Sequence, residues 1–195
     1  MQPPLILASS SGYRRNLLAR LGLAFSVQTP AVAETPRVGE APAARAPRLA
    51  VGKAVAVARL HPDAVVIGSD QVAALEGCVL HKPGDEDNAV AQLLAASGKQ
   101  AEFFTAVAVA RDGGRHCEVE VDCTRVRFRR LSAAALRDYV RRERPLDCAG
   151  AFKSEGLGIA LFDAVHCEDP TALIGLPLIR LCSLLERAGI RVLGG

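Results

Sequence analysis

Tryptophan is absent from this 195-residue chain, and aromatic residues amount to only 4%. Two tyrosines are too few to build the stacking platforms on which single-stranded nucleic acids are held. A net charge of +3, from 24 basic against 21 acidic residues, does not predict the basic face of a nucleic-acid-binding domain. No apolar stretch reaches the roughly 18 residues of a membrane span, and the opening residues lack the basic region of a secretory signal. The six cysteines include no Cys-x-x-Cys pair, so a zinc ribbon and a dithiol redox motif are unsupported. Reduced, mostly buried thiols in a cytoplasmic protein are expected instead. Lysine is scarce: Lys53, Lys82, Lys99 and Lys153 are the four among 24 basic residues, the rest being the planar, forked arginine. Walker and Gly-x-Gly-x-x-Gly phosphate loops, the Gly-x-Ser-x-Gly elbow and metal-ligand spacings among the four histidines are all missing. Kinase, dehydrogenase and serine hydrolase readings therefore fall.

What is present is ordinary globular material, 50% hydrophobic and 23% charged, enough for one domain spanning residues 1–195 that needs no staple. Pro4–Ala8 reads as a buried strand, followed by a Ser-rich turn and a helix over Tyr13–Leu23 with Arg14 and Arg15 in its first turn. Thr29–Pro47, with Pro30, Pro36, Pro42 and Pro47, reads as a surface loop before a helix over Arg48–Leu60. Ala64–Gly68 is a β-branched strand that delivers Ser69, Asp70 and Gln71 at its carboxyl end, with a hairpin around Glu76-Gly77 beyond. A helix over Asp87–Ala96, two long strands joined through Asp112-Gly113-Gly114, a helix capped by Ser132, a loop over Cys148–Gly158 and a helix over Leu178–Ala188 complete a mixed α/β order.

Ligands of open α/β sheets collect at the carboxyl ends of strands. Three such ends carry polar cargo: Ser9–Arg15, Ser69–Gln71 and His81–Gly84. Hydroxyls at a helix start favour an anion, and Arg14 can fork two phosphate oxygens, although a capped, solvated first turn looks the same in sequence. A carboxylate at Asp70, leaving a buried strand, suits a general base as well as it suits a turn cap. Glu34 can join Asp70 around Mg²⁺, which takes carboxylates plus phosphate oxygens, and it can equally be a solvated loop residue. Lys53 and Lys82 have ordinary surface readings of their own. As a set, Arg14, Lys53, Lys82, Glu34 and Asp70 match what metal-assisted attack on a polyphosphate requires.

At these residues the chain resembles the Maf family of nucleoside-triphosphate pyrophosphatases. The resemblance rests on Leu5–Arg15, Arg48–Ala54, Val66–Val72, Lys82–Gly84, Ser97-Gly98 with Phe104-Thr105, the Cys148–Gly158 neighbourhood and Leu173–Ile179. It implies an inosine-triphosphatase-like, elongated mixed sheet with two lobes around a central cleft, a homodimer, a divalent cation such as Mg²⁺ or Mn²⁺, and cleavage between the α- and β-phosphates of a nucleotide. By matching position, Asp70 is the base, Lys53 and Lys82 assist catalysis, Ser9, Ser11 and Arg14 bind phosphate, and Glu34 with Asp70 holds the metal. Tyr13, Gln71 and Glu155 match the positions that set base specificity and resemble the branch acting on 7-methyl-GTP. The dTTP/UTP branch has Arg, Thr and Gln there. A dTTP/UTP pyrophosphatase and a non-catalytic nucleotide-binding regulator of cell division are the alternatives. N7 methylation makes guanine cationic, so Tyr13 can stack on it for ~1–2 kcal/mol. Glu155 can accept from its N1–H and amino group, Gln71 can donate and accept, and a pyrimidine would leave Glu155 unpaired. Two departures from the family pattern are Ala33, where a second acid is usual, and His81, where glycine is usual.

Overall fold

The structure, a computed structural model, describes residues 3–194. Its elements are β1 (Leu5–Ala8), α1 (Gly12–Ala19), β2 (Ser26–Gln28), α2 (Pro42–Ala58), β3 (Val65–Leu75), β4 (Cys78–Leu80), α3 (Glu86–Ala96), β5 (Gln100–Arg111), β6 (His116–Phe128), α4 (Ala133–Glu143), β7 (Phe162–His166) and α5 (Leu178–Arg187). The strands form one mixed sheet in the order β2-β1-β3-β5-β6-β7, with β4 also paired to β3. The mixed α/β class expected from the sequence is what is observed. Among the described residues no helix is long and apolar enough to cross a membrane.

The chain forms two compact units. The first takes residues up to Gln71, Thr105–Asp122 and Asp169 onward; the second takes Val72–Phe104 and Cys123–Glu168. In the first, β1 lies parallel to β2 and to the start of β3, with Leu5 opposite Val65 and Ala8 opposite Gly68. Every residue of β1 is buried, as suits a parallel strand covered on both faces. Its core joins Leu7, Leu17, Ile67, Val107, Leu181 and Leu185. Ser11 caps α1, its Oγ accepting from Arg14 N. In the second unit, Phe103, Phe128, Phe152 and Phe162 meet edge to face at centroid distances of 4.8–5.8 Å, and α3 packs on α4. Ser132 caps α4, and Leu136, Tyr139 and Val140 are its buried residues, as its spacing predicts.

Three local expectations are corrected, and two short strands are added. Asp70 does not stand at a strand end: β3 runs unbroken from Val65 to Leu75, and Ser69–Gln71 lie just past Gly68, where pairing with β1 stops. Helix α2 begins at Pro42 rather than Arg48. Pro42 takes the first helical position, where no N–H is needed, and Pro47 costs one bond near the helix start. The short strands β2 and β7 carry no alternating burial to betray them. The six cysteines are thiols, but none is in the buried class. Burial raises the pKa of Cys117 and Cys182, with Glu118 and Asp169 adding to it, which keeps those two protonated.

Candidate active site

The candidate site of the first unit is organised by the two faces of β3. Gly68 and Asp70, two residues apart, share one face. A Cβ on Gly68 would stand 2.3 Å from Ala50 O and 2.6 Å from Ala54 N, so only glycine lets α2 lie this close to the strand. That approach carries Lys53, between those two alanines, onto Asp70: Nζ is 2.7 Å from Asp70 Oδ1 and 2.7 Å from Glu34 Oε1. Lys53 and Asp70 are buried, whereas Glu34 is exposed on the 29–41 loop. Two arginines of α2 hold that loop. Arg45 Nη2 donates to Glu34 O at 3.0 Å, and Arg48 Nη2 donates to Thr35 O at 3.3 Å. Arg48 also pairs with Glu40, whose carboxylate accepts from Arg37 N.

Ser69 and Gln71 point from the other face. Ser69 Oγ donates to Gly175 O at 3.0 Å. Gln71 Nε2 lies 2.9 Å from Thr105 Oγ1, 3.0 Å from Ala172 O and 3.1 Å from Leu173 O, and Thr105 Oγ1 itself donates to Ala172 O at 3.0 Å. The amide nitrogen is thus turned inward by two carbonyls that can only accept, and Oε1 is the end left for a ligand. This narrows the sequence reading, in which Gln71 both donates and accepts.

Arg14 reaches across from α1. Its Nε donates to Gly175 O at 2.9 Å, and Nη1 stands 3.5 Å from Ser9 Oγ. Ser9 Oγ in turn accepts from Ser11 N at 3.1 Å. Desolvation lowers the pKa of the Arg14 guanidinium, against the pull of Asp70 and Glu34, which raise it. Tyr13 is half-buried beside it on α1.

Lys53, Arg14, Glu34 and Asp70 together carry no net charge, so a polyphosphate here needs positive charge from outside the cluster. Glu34 and Asp70 are oxygen donors of the kind a hard divalent cation takes, and in this structure both face the Lys53 ammonium. No group of three His, Cys, Asp or Glu side chains gathers among the described residues, and a cation that draws its remaining oxygens from phosphates and water needs only one or two carboxylates.

Lys82 and Glu155 belong to the second unit, and both are exposed. Lys82 follows β4. Glu155 rides on a loop pinned to α4, where Tyr139 Oη accepts from Lys153 N at 3.1 Å, Glu143 O accepts from Lys153 Nζ at 3.2 Å and Glu143 Oε2 accepts from Leu157 N at 2.8 Å. Burial pushes the Tyr139 phenol upward, keeping it neutral.

Sequence reasoning assigned no role to Thr105 or to the carbonyls of Ala172, Leu173 and Gly175. Backbone acceptors leave no side-chain signature; the signals available were the matches at Phe104-Thr105 and Leu173–Ile179, which carried no role, and the glycine at 175, whose φ of +125° disfavours any other residue.

Comparison with known proteins adds a second line. The chain is 52% identical over 194 residues to the 7-methyl-GTP pyrophosphatase of Albidiferax ferrireducens, covering 100% of this chain and 98% of that one. It is 54% identical over 188 residues to the 7-methyl-GTP pyrophosphatase of Bordetella avium, covering 96% and 94%. A crystal structure of a nucleoside-triphosphatase (dITP/XTP pyrophosphatase) from Mycobacterium abscessus aligns with a TM-score of 0.46 at 19% identity, covering 66% of this chain and 75% of that one. A family model described as Maf-like protein matches residues 4–188, and the chain belongs to the Maf family.

Proposed function

We propose that the chain hydrolyses 7-methyl-GTP to 7-methyl-GMP and pyrophosphate by attack of water at the α-phosphate. The observation that carries this reading is the Glu34–Lys53–Asp70 cluster, a buried carboxylate and ammonium beside an exposed carboxylate, with Arg14 and Ser9 adjoining it. Relatives that share about half of its residues over nearly full length and are named for that substrate support the choice of nucleotide.

Lys53 engages Oδ1 of Asp70, which leaves Oδ2 to take the proton of the attacking water. Arg14 is anchored through Nε, with Nη1 leaning on Ser9 Oγ, and offers Nη2 to phosphate oxygens; the Ser9 and Ser11 hydroxyls at the start of α1 add donors where the helix end favours an anion. Lys82 contributes a further point charge to the polyphosphate. Glu34 and Asp70 would hold a divalent cation such as Mg²⁺ or Mn²⁺, which supplies the positive charge that the cluster lacks. Tyr13, Gln71 and Glu155 choose the base. Glu155 is solvated in the free protein, so it discriminates only when a nucleotide covers it and its charge must find N–H partners.

Purified protein offered 7-methyl-GTP, GTP, dTTP, UTP and CTP, with Mg²⁺, Mn²⁺ or chelator, should release pyrophosphate rather than orthophosphate, fastest from 7-methyl-GTP and not with chelator. Pyrophosphate mainly from dTTP or UTP would keep the reaction and remove the base assignment. In the variant Glu155→Gln the preference for 7-methyl-GTP over dTTP should fall about tenfold or more, one lost charged hydrogen bond being worth ~1.5–3 kcal/mol. An unchanged ratio would remove Glu155 from the recognition of the base. Family membership also supports a cytoplasmic homodimer, whose mass light scattering would read directly.

A further inference from the structure

The segment from Asp169 to Pro177 supplies three backbone carbonyls to the candidate site. Gly175 O accepts from Arg14 Nε and Ser69 Oγ, while Ala172 O and Leu173 O hold Thr105 and Gln71. Where a carbonyl points is a property of the backbone, so whatever fixes this segment also sets where Arg14 aims and which end of the Gln71 amide faces outward.

Two side chains fix it. Asp169, 1% exposed, accepts from Thr171 N at 3.0 Å through Oδ1 and from Ile179 N at 2.6 Å through Oδ2. The single hydrogen of Thr171 Oγ1 lies between Asp169 Oδ1, 2.6 Å away, and Leu176 O, 2.8 Å away, and the same oxygen accepts from Leu178 N at 2.8 Å. These bonds close a loop from residue 169 to residue 179 with the three carbonyls inside it. Asp122 Oδ2 ties the loop to β6 by accepting from Asp169 N at 3.0 Å.

We infer that Asp169 and Thr171 are positioning residues for the nucleotide site: they hold the 172–175 carbonyls that orient Arg14 and lock Gln71 with its oxygen outward. The plainer role open to them is to cap α5, since both accept from its first N–H groups. The two roles separate experimentally. Loss of a cap lowers stability and leaves kinetics and Gln71 alone, whereas loss of the loop changes how substrate binds.

The inference rests on the pyrophosphatase reading for its kinetic arm only. The full-length protein and its Thr171→Val and Thr171→Ser variants would be compared in thermal melts, in pyrophosphate release from 7-methyl-GTP with Mg²⁺, and in hydrogen exchange of the Gln71 side-chain amide by NMR. Thr171→Val should raise KM about tenfold with kcat changed much less, as expected when a binding group is misplaced rather than the base removed. Exchange at the Gln71 amide should quicken by a similar factor as its inward bonds loosen. Thr171→Ser, which keeps the oxygen, should restore both. Gly175→Ala, which disturbs the carbonyl directly, should mimic Thr171→Val. A Thr171→Val protein that melts lower yet keeps the parent KM and Gln71 exchange would overturn the inference in favour of a cap. No pyrophosphate from any nucleotide with the parent protein would overturn the functional reading instead, and Gln71 exchange would still decide the positioning role.

Discussion

Lys53 balances two carboxylates with one ammonium, and only Glu34 of the three reaches well into solvent. Removing one partner of a buried pair leaves the other uncompensated, which costs more than the pair contributes. Lys53→Met should therefore lower unfolding free energy by about 3 kcal/mol in denaturant titrations, and adding Asp70→Leu should recover part of that loss. Strict additivity of the two losses would show that the pair is not coupled. At this scale the sequence was most informative where scarcity singled residues out. Four lysines among 24 basic residues drew attention to Lys53 and Lys82, and carboxylates at 34 and 70 completed a set whose chemistry made sense together. The structure brings Lys53, Glu34, Asp70, Arg14 and Ser9 together in one unit. What stayed hidden was partnership: nothing in the sequence says that the nitrogen of Gln71 is spent on Ala172, Leu173 and Thr105.

Elements carry the next level of constraint. Gly68→Ala would push a methyl group against Ala50 O and Ala54 N, both backbone atoms that cannot swing aside. It should destabilise the fold by about 3 kcal/mol, the upper end for overpacking, and lower activity by moving Lys53 off Asp70. A variant with parent stability would show that α2 has slack. The loop bearing Glu34 hangs from α2 through Arg48 and Glu40, and Arg48 holds the Glu40 carboxyl down to about 2 from its ordinary 4.5. Above 4.5 the pair contributes in full. Below it the unfolded chain takes up the proton first, so stability contributed by Glu40 declines as pH falls toward 2. Melting temperature followed from pH 6 to about 3 should drop less steeply in Glu40→Gln than in the parent. Periodicity and capping located the helices and the long strands in the sequence, since Ser11, Ser132 and the turn at Asp112–Gly114 are strong local signals. Three-residue β2 and exposed β7 have no such signal. The start of α2 was misread because proline marks both loops and helix beginnings.

Across the whole molecule, each unit is assembled from separated stretches of chain, and β3, β5 and β6 each contribute residues to both. The first unit owes its core to the far C-terminal part of the sequence: Leu181, Leu184 and Leu185 of α5 are at most 1% exposed, and Gly175 receives both Arg14 and Ser69. A chain cut after Glu168 should accordingly show no cooperative thermal transition for β1, α1 and α2. A sharp melt of that shortened chain with the parent's helix content by circular dichroism would contradict this dependence.

The order in which those stretches leave the ribosome follows from the same arrangement. At about 5–20 residues per second, β1 and α1 wait roughly ten seconds or more for α5, whose leucines share their core. The intervening stretch from Val72 to Glu168, which supplies the second unit, has by then emerged in full. Birth order thus favours the later-written unit, and the segment that anchors Arg14 and Gln71 arrives only after all of it. The nucleotide site can be completed only once residues 169–179 have emerged, so a nascent chain stalled before residue 169 carries Arg14 without the Gly175 carbonyl that aims it.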